Sequence, residues 1–176
     1  MGSGYSLFCK KCRFSFDACF GVGFCFPEVY QKALRDGIEG KLGKEVQSFL
    51  REHPDGALDC DRVLLQCTDC GNLESDIDYS MYLPDGAAVV KKGNWTDAVP
   101  DDHSQYVAPW DLEEGYHLFS RYNHVCGECG SRMKIIKEKD IVPDENRDVM
   151  NGYMETGVSC PKCGKPLYVD GVFNWD

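Results

Sequence analysis

The chain has 176 residues, of which 43% are hydrophobic and 27% charged, and its formal net charge is −10 at pH 7. This length is enough for one domain or two small ones, and the acidic balance argues against a nucleic-acid-binding protein, which needs clustered Lys and Arg. No apolar run approaches the roughly 20 residues that span a bilayer, and no signal peptide is visible, so we expect a cytoplasmic protein without a membrane segment.

The first predicted domain covers residues 1–83. Apolar and polar residues alternate around Phe16, which indicates a half-buried strand. Two helices should follow, one over 27–35, which begins with a proline suited to the first helical position, and one over 44–53, which has a single apolar face. The domain closes with strands over 62–66 and 72–83.

Residues 84–114 are predicted to form an acidic and aromatic linker or loop, with a turn at its start and a short strand at 87–90. Between Lys92 and Arg121 the chain has no basic residue but has six acidic ones. The large aromatic residues of this segment are Trp95, Tyr106 and Trp110. We expect them to pack as cover over the neighbouring domains, with a partner-binding patch as the alternative.

The second predicted domain covers residues 115–176. Strands are expected over 116–125 and 133–137, and Asp144 can cap a short helix over 144–150. A strand over 166–169 should follow, and the Asp-Gly pair that ends in Gly171 predicts a tight hairpin turn.

Cysteine spacing carries the strongest signal in the sequence. Eight of the 11 cysteines form four Cys-x-x-Cys pairs, and each pair places two thiolates on one side of a tight loop. Two such loops that face each other complete a tetrahedral shell of four sulfur atoms. We therefore predict two closed structural metal sites in a reducing compartment. The predicted ligands are Cys9, Cys12, Cys67, Cys70, Cys126, Cys129, Cys160 and Cys163.

A glycine follows the second cysteine in three of the four pairs, at Gly71, Gly130 and Gly164, whereas Arg13 holds this position in the first pair. A residue there often takes a positive φ angle, which glycine adopts without steric cost. These motifs resemble the knuckles of the zinc-ribbon family, which are similar to those of rubredoxins, and the layout resembles uncharacterised bacterial zinc-ribbon proteins. The resemblance implies a small, metal-stabilised α+β fold of two zinc ribbons with short antiparallel strands, the first with a helical insert. It implies no reaction.

The pairs can combine in three ways: sequential, interleaved or nested. We favour the sequential arrangement, in which the first pair joins the second and the third joins the fourth, because strands usually pair with near neighbours in sequence. Tetrahedral sulfur sites suit zinc or iron. We expect two Zn²⁺ ions per chain rather than iron, because no other electron-transfer feature is present.

We expect no catalysis. A closed four-sulfur shell has no open position for substrate, and no catalytic triad, phosphate-binding loop or carboxylate pair stands out. A deaminase-like role for Glu128 is disfavoured because Cys129 closes the shell. His124 lies two residues before Cys126, but we interpret it as an ordinary strand residue and not as a metal ligand, because cysteines already complete the shell. Cys19, Cys25 and Cys60 are expected to be small buried apolar residues.

Two function classes remain from the sequence. The leading hypothesis is a non-enzymatic protein whose two structural zinc sites support an acidic, aromatic surface for an unknown protein partner. The alternatives are a nucleic-acid-associated regulator, or an acidic mimic of nucleic acid that blocks a DNA-binding protein. The regulator would use the basic residues near the knuckles, which are Lys10, Lys11, Arg13, Arg132, Lys134, Lys137, Lys162 and Lys165.

Overall fold

A computed structural model of the chain describes residues 2–92, 105–142 and 154–175. Within these ranges the fold is α+β with mostly antiparallel strands, as predicted. The elements in chain order are β1 (Gly2–Phe8), β2 (Ser15–Phe20), α1 (Phe26–Ile38), α2 (Lys44–Glu52), β3 (Ala57–Leu58), β4 (Arg62–Cys67), β5 (Leu73–Ile77), β6 (Met81–Pro84), β7 (Lys91–Lys92), β8 (Gln105–Tyr106), α3 (Pro109–Gly115), β9 (Tyr116–Ser120), β10 (Met133–Ile136), α4 (Glu138–Ile141), β11 (Met154–Ser159) and β12 (Pro166–Trp175). None of the helices described has the length and apolar character needed to cross a membrane.

The chain divides into two compact units, and each unit draws on separate parts of the sequence. The metal unit consists of Met1–Gly21, Arg62–Asp76 and Asn123–Asp176, and the helical unit consists of Val22–Asp61 and Ile77–Tyr122. The predicted division into 1–83, 84–114 and 115–176 follows the chain in series, whereas these two units interleave along it. The interleaving arises because strands pair across long sequence separations.

The metal unit is built on two antiparallel sheets. One has the strand order β11-β12-β1-β2 and the other has the order β10-β4-β5. Strand β1 pairs with β12 from Gly2, opposite Trp175, to Phe8, opposite Tyr168. The indole Nε1 of Trp175 donates to the backbone oxygens of Ser3 and Phe20, at 3.1 Å each. The first and last described strands are therefore neighbours in one sheet.

The core of the metal unit follows from alternation along its strands. Tyr5 and Leu7 on β1 are buried, as are Leu167 and Val169 on β12. Leu64 on β4 belongs to the same apolar cluster. Each fully buried Leu or Val side chain contributes about 1.5–3 kcal/mol to folding, so this core supplements whatever the metal sites contribute.

The predicted hairpin turn at the end of the chain is wrong. Strand β12 runs straight through Asp170 and Gly171 without reversing. Its register against β1 shifts there, so that Ser6 faces Gly171 and Leu7 faces Val169. Asp170 is thus the extra residue of a β-bulge, and pairing with β1 overrides the local turn preference of the Asp-Gly sequence.

The helical unit places two amphipathic helices on a three-stranded sheet of order β3-β6-β9. The predicted helices are both present as α1 and α2, within three residues of the expected bounds. Val46 and Phe49 of α2 are buried in the apolar cluster of this unit. An added Cβ at Gly37 would lie 2.6 Å from Leu50 Cδ1, so the glycine permits close packing of α1 on α2.

Part of the predicted linker belongs to the core of the helical unit. Tyr106 is buried and packs edge-on against Phe26, with ring centroids 6.0 Å apart. Trp110 is 44% exposed. The strand predicted over 87–90 does not form. Strand β7 begins at the next residue, Lys91, and pairs with β8. Trp95 and the predicted helix over 144–150 lie outside the described residues.

Candidate metal centres

The structure brings all eight paired cysteines into two groups of four. The first group, site 1, consists of Cys9, Cys12, Cys160 and Cys163. Strands β1 and β2 flank its first pair, and β11 and β12 flank its second. The Sγ atoms of Cys9 and Cys163 are 3.5 Å apart, as are those of Cys12 and Cys160.

The second group, site 2, consists of Cys67, Cys70, Cys126 and Cys129. Strands β4 and β5 flank its first pair, and β10 follows its second. The Sγ atoms of Cys67 and Cys129 are 3.4 Å apart, and those of Cys70 and Cys126 are 3.7 Å apart. Both sites belong to the metal unit.

This nested combination shows that the favoured sequential pairing is wrong. The first cysteine pair joins the fourth, and the second joins the third. The strands explain the arrangement, because β1 pairs with β12 and β4 pairs with β10. Loop closure does not oppose it strongly, since enlarging a loop from 56 to 148 residues costs about 1 kcal/mol.

The sulfur geometry of both groups fits a tetrahedral cation. Four sulfur ligands about 2.3 Å from a central ion lie about 3.8 Å from one another. All ligand atoms within each group lie within 4.8 Å of one another, and all eight cysteines are free rather than disulfide-bonded. The donor set is four thiols with no oxygen or nitrogen, which suits zinc or iron. Each group could therefore hold one metal ion.

The backbone of each knuckle is arranged for thiolate ligands. The residue after the second cysteine has positive φ in every pair, as predicted, including the non-glycine residue in the first pair. These residues are Arg13 (φ 60°), Gly71 (φ 74°), Gly130 (φ 75°) and Gly164 (φ 67°). The turn lets an amide two residues beyond the second cysteine reach its sulfur. The amides that do so belong to Phe14, Asn72, Ser131 and Lys165.

Thiol ionisation is uneven within each group when no cation is bound. The Cys12 backbone amide lowers the pKa of Cys9 to about 6, and the Ser131 amide lowers the pKa of Cys129 to about 6. The Asn72 amide also acts to lower the pKa of Cys70, but burial and the neighbouring thiols raise it to about 12. Thiolates this close repel one another, so a divalent cation is needed to hold all four ionised.

Polar side chains tie the two knuckles of site 2 together. Glu74 Oε1 accepts hydrogen bonds from Asn72 Nδ2 at 3.0 Å and from the Gly127 amide at 3.1 Å. The hydroxyl of Ser131 donates to Asp69 Oδ2 at 2.9 Å. The glutamate and aspartate therefore link the second cysteine pair to the third independently of the metal.

The environment of site 1 differs from that of site 2, because here cationic side chains lie over aromatic rings. Lys10 Nζ is 3.7 Å from the ring centroid of Tyr168, and Lys162 Nζ is 5.5 Å from that of Phe14. In each contact the lysine lies in one knuckle and the ring lies beside the opposite knuckle. These cation–π contacts link the two ends of the chain across the site.

One glutamine connects the two sites within the metal unit. Gln66, next to Cys67 of site 2, donates from Nε2 to the backbone oxygen of Ser159 at 2.7 Å, and Ser159 adjoins Cys160 of site 1. Sequence analysis did not identify Gln66 or Glu74. Gln66 precedes a predicted ligand, but its partner lies 93 residues away, so no local pattern reveals it.

The remaining candidate residues lie outside the two four-sulfur groups. Cys60 is buried, and burial raises its pKa well above the ordinary value, which makes it an inert thiol. Cys19 is half-buried and Cys25 is exposed, so the expectation of burial holds fully for Cys60 alone. Among the described residues neither group includes His124 or Glu128.

Metal content is the first expected result. Protein produced without added metal should contain two zinc ions per chain, because both shells present four thiols at tetrahedral spacing. Elemental analysis against protein concentration measures this directly. One metal ion per chain would contradict two complete sites, and a coloured protein with iron as the main metal would contradict zinc.

No protein-family model, curated protein or solved structure matches the chain. The metal centres and the fold thus rest on the residues and contacts described above.

Proposed function

We propose that this chain is a non-enzymatic protein-interaction module whose two zinc ions act as structural staples. The observation that carries the proposal is the completeness of both cysteine groups, each of which supplies four sulfur ligands from two Cys-x-x-Cys pairs that lie far apart in the chain. A tetrahedral ion with four protein ligands has no position for a reacting water. The energy of binding then contributes to folding of the metal unit.

Charge distribution supports a protein partner. The helical unit contains 16 of the 29 acidic residues and 8 of the 19 basic residues, which gives it a net charge of −8. The same unit exposes several large apolar side chains, namely Phe24, Ile38, Val89, Val90, Trp110, Leu118 and Phe119. An acidic surface with exposed aromatic residues favours a basic protein partner.

The proposal is tested by cross-linking the full chain in its native host and identifying the attached proteins. Matched cultures should carry the intact chain and a variant with Cys67→Ser and Cys129→Ser, which lacks site 2. An interaction module is supported if one protein is repeatedly recovered cross-linked to the intact chain, and if nuclease treatment does not change the ratio of that protein to the chain. Turnover of any substrate by the purified two-metal protein would contradict the non-enzymatic assignment.

The surroundings of site 1 favour a second candidate function, a nucleic-acid-associated regulator. The nested combination gathers five exposed basic residues in the knuckles of one site, where a sequential combination would divide them between two. They are Lys10, Lys11, Arg13, Lys162 and Lys165. The simpler role of these residues is to balance four thiolates, and we rank it first because the complete chain is acidic.

We expect no binding to duplex DNA at physiological salt. Neutralising phosphates requires clustered Lys and Arg, and this chain has 29 acidic residues against 19 basic ones. Fluorescence anisotropy with duplex and single-stranded probes over a series of salt concentrations measures the affinity. Sub-micromolar binding that weakens steeply with salt would favour the nucleic-acid-associated regulator over the protein-interaction module.

Charge-reversal variants identify the responsible surface if binding is found. Reversal of Lys10, Lys11 and Arg13 alters site 1, whereas reversal of Arg132 and Lys134 alters the neighbourhood of site 2. The regulator hypothesis expects the first variant to weaken binding and to lower the salt dependence more than the second does.

A further inference from the structure

Along β9, the three-stranded sheet of the helical unit has an edge to which no strand of the described residues pairs. In the part of the chain that the structure describes, β9 pairs only with β6, and β3 forms the opposite edge with two buried residues. Strand β9 is the longer edge, with five residues. An edge strand leaves a row of backbone N–H and C=O groups that another extended chain can pair with.

Exposure along β9 departs from the alternation expected of a half-buried strand. His117, Leu118 and Phe119 are three consecutive exposed residues, and the last two are 40% and 50% exposed. The register against β6 shifts here, because Leu118 faces Tyr82 while Ser120 faces Met81, which leaves Phe119 as the extra residue of a bulge. Apolar side chains are therefore presented directly on an open edge.

An aromatic platform lies beside this edge. The ring of Phe119 is 5.2 Å from that of Phe49 and 5.3 Å from that of His53, measured between centroids. Phe49 is buried in the core of the helical unit. The exposed ring is thus held against a rigid support, which lowers the entropy lost when a partner side chain packs on it.

Charges around β9 are mainly acidic. Glu113 and Glu114 are exposed just before the strand. Asp85 lies 2.7 Å from His117 Nδ1, and Glu45 accepts a hydrogen bond from the Ser120 hydroxyl at 2.9 Å. The five residues of β9 include no Lys, Asp or Glu, which are the charges that commonly protect an edge strand from pairing.

We propose that β9 is a docking site for a basic, extended segment of a partner protein, which adds to the sheet as a fourth strand. This inference rests on the proposed function as an interaction module and names its partner class. Backbone hydrogen bonds to the edge would supply affinity, while Leu118, Phe119 and the acidic rim would select alternating apolar and basic side chains. A second copy of this chain fits poorly, because two helical units of charge −8 repel each other.

The test uses the full two-metal protein and three synthetic peptides of ten residues. The first alternates Val and Lys, the second alternates Val and Glu, and the third repeats the first with N-methyl groups on alternate amides. Titration calorimetry should detect saturable binding of the first peptide alone, because the second carries the wrong charge and the third cannot complete the backbone pairing. Amide shifts in an NMR titration should include residues 116–120.

Variants of the exposed side chains and of the acidic rim locate the binding. The variant Leu118→Ser/Phe119→Ser should weaken the Val-Lys peptide by about tenfold or more. Its matched control is Ile38→Ser, which removes a side chain that is 50% exposed on α1 of the same unit. Glu113→Lys/Glu114→Lys should also weaken binding, with Glu28→Lys/Glu39→Lys as the control of equal charge change. The far-ultraviolet helical signal, compared with that of the intact chain, confirms that the helical unit of each variant is folded.

The inference is overturned by absence of saturable binding of the Val-Lys peptide below about 1 mM. Equal binding of the Val-Glu or N-methylated peptide, or an unchanged affinity in the β9 variants, overturns it as well. Failure of the β9 docking site can be distinguished from failure of the proposed interaction module by cross-linking the Leu118→Ser/Phe119→Ser variant in the native host. If that variant still recovers the partner of the intact chain, the interaction module stands and β9 is not its docking site.

Discussion

Replacing Cys160 with serine should remove the metal ion of site 1, leave the ion of site 2 in place, and disorder the sheet β11-β12-β1-β2. Cys160 shares its group with Cys9, Cys12 and Cys163. Structural zinc sites contribute about 10–16 kcal/mol of binding energy, and a small domain is stable by only about 5–15 kcal/mol in total. The loss of one site is therefore comparable to the whole stability of the sheet that it joins.

Two measurements check this result together. Elemental analysis should fall from two metal ions to one per chain. Alkylation followed by mass spectrometry should then label Cys9, Cys12 and Cys163, while the cysteines of site 2 stay protected. The control is Cys25→Ser, because that thiol is exposed and lies outside both groups. Labelling of Cys126 and Cys129 instead, with Cys9 and Cys12 protected, would restore the sequential combination.

Complete removal of metal should unfold the metal unit and leave the helical unit largely folded. Both sites lie in the metal unit, whereas the core of the helical unit contains the side chains of α1, α2, α3 and their sheet without a metal ligand. A strong thiol-competing chelator should abolish the near-ultraviolet circular dichroism from aromatic residues of the metal unit. Most of the far-ultraviolet helical signal should persist, and added Zn²⁺ should restore the rest.

Incubation with the chelator already saturated with zinc is the control for non-specific effects. Retention of all tertiary signal after verified metal loss would show that the sites add little to stability. Complete loss of the helical signal would show that the helical unit does not fold without the metal unit. Either outcome would change the proposed role of the two ions as staples of one unit.

The cysteine pairs that could hold metal ions were predictable from sequence because the geometry of each pair is local. A Cys-x-x-Cys turn fixes its own two sulfur atoms, and a positive φ after the second cysteine is a one-residue property that even Arg13 adopts. The combination of the pairs is a long-range property. Differences in loop entropy of about 1 kcal/mol are too small to reveal it, and the preference for near neighbours pointed the wrong way.

Helices α1 and α2 were predictable for a similar reason, since their apolar faces and the proline signal of α1 lie within single segments. The short helices α3 and α4 were not predicted. The prediction of a turn at Asp170 and Gly171 was wrong because pairing with the distant strand β1 determines the local conformation there. The packing of Tyr106 was expected from the usual burial of large aromatic residues. Its contact with Phe26 could not be foreseen, because Phe26 lies 80 positions earlier in the chain. Gln66 and Glu74 are recognisable only after the knuckles that they join are known to be adjacent.

The nested combination has a consequence for synthesis on the ribosome. Cys12 emerges 148 residues before its partner Cys160, whereas Cys70 precedes Cys126 by 56 residues. At ordinary elongation rates the early thiols of site 1 wait roughly 7–30 s for their partners. Site 2 can close first and hold β4 and β10 as a template, while β1 has only its neighbour β2 and still lacks its partner β12. In that interval Cys9 and Cys12 lack Cys160 and Cys163, so we expect metal loading of site 1 to depend on the timing of translation and on the metal supply of the cell.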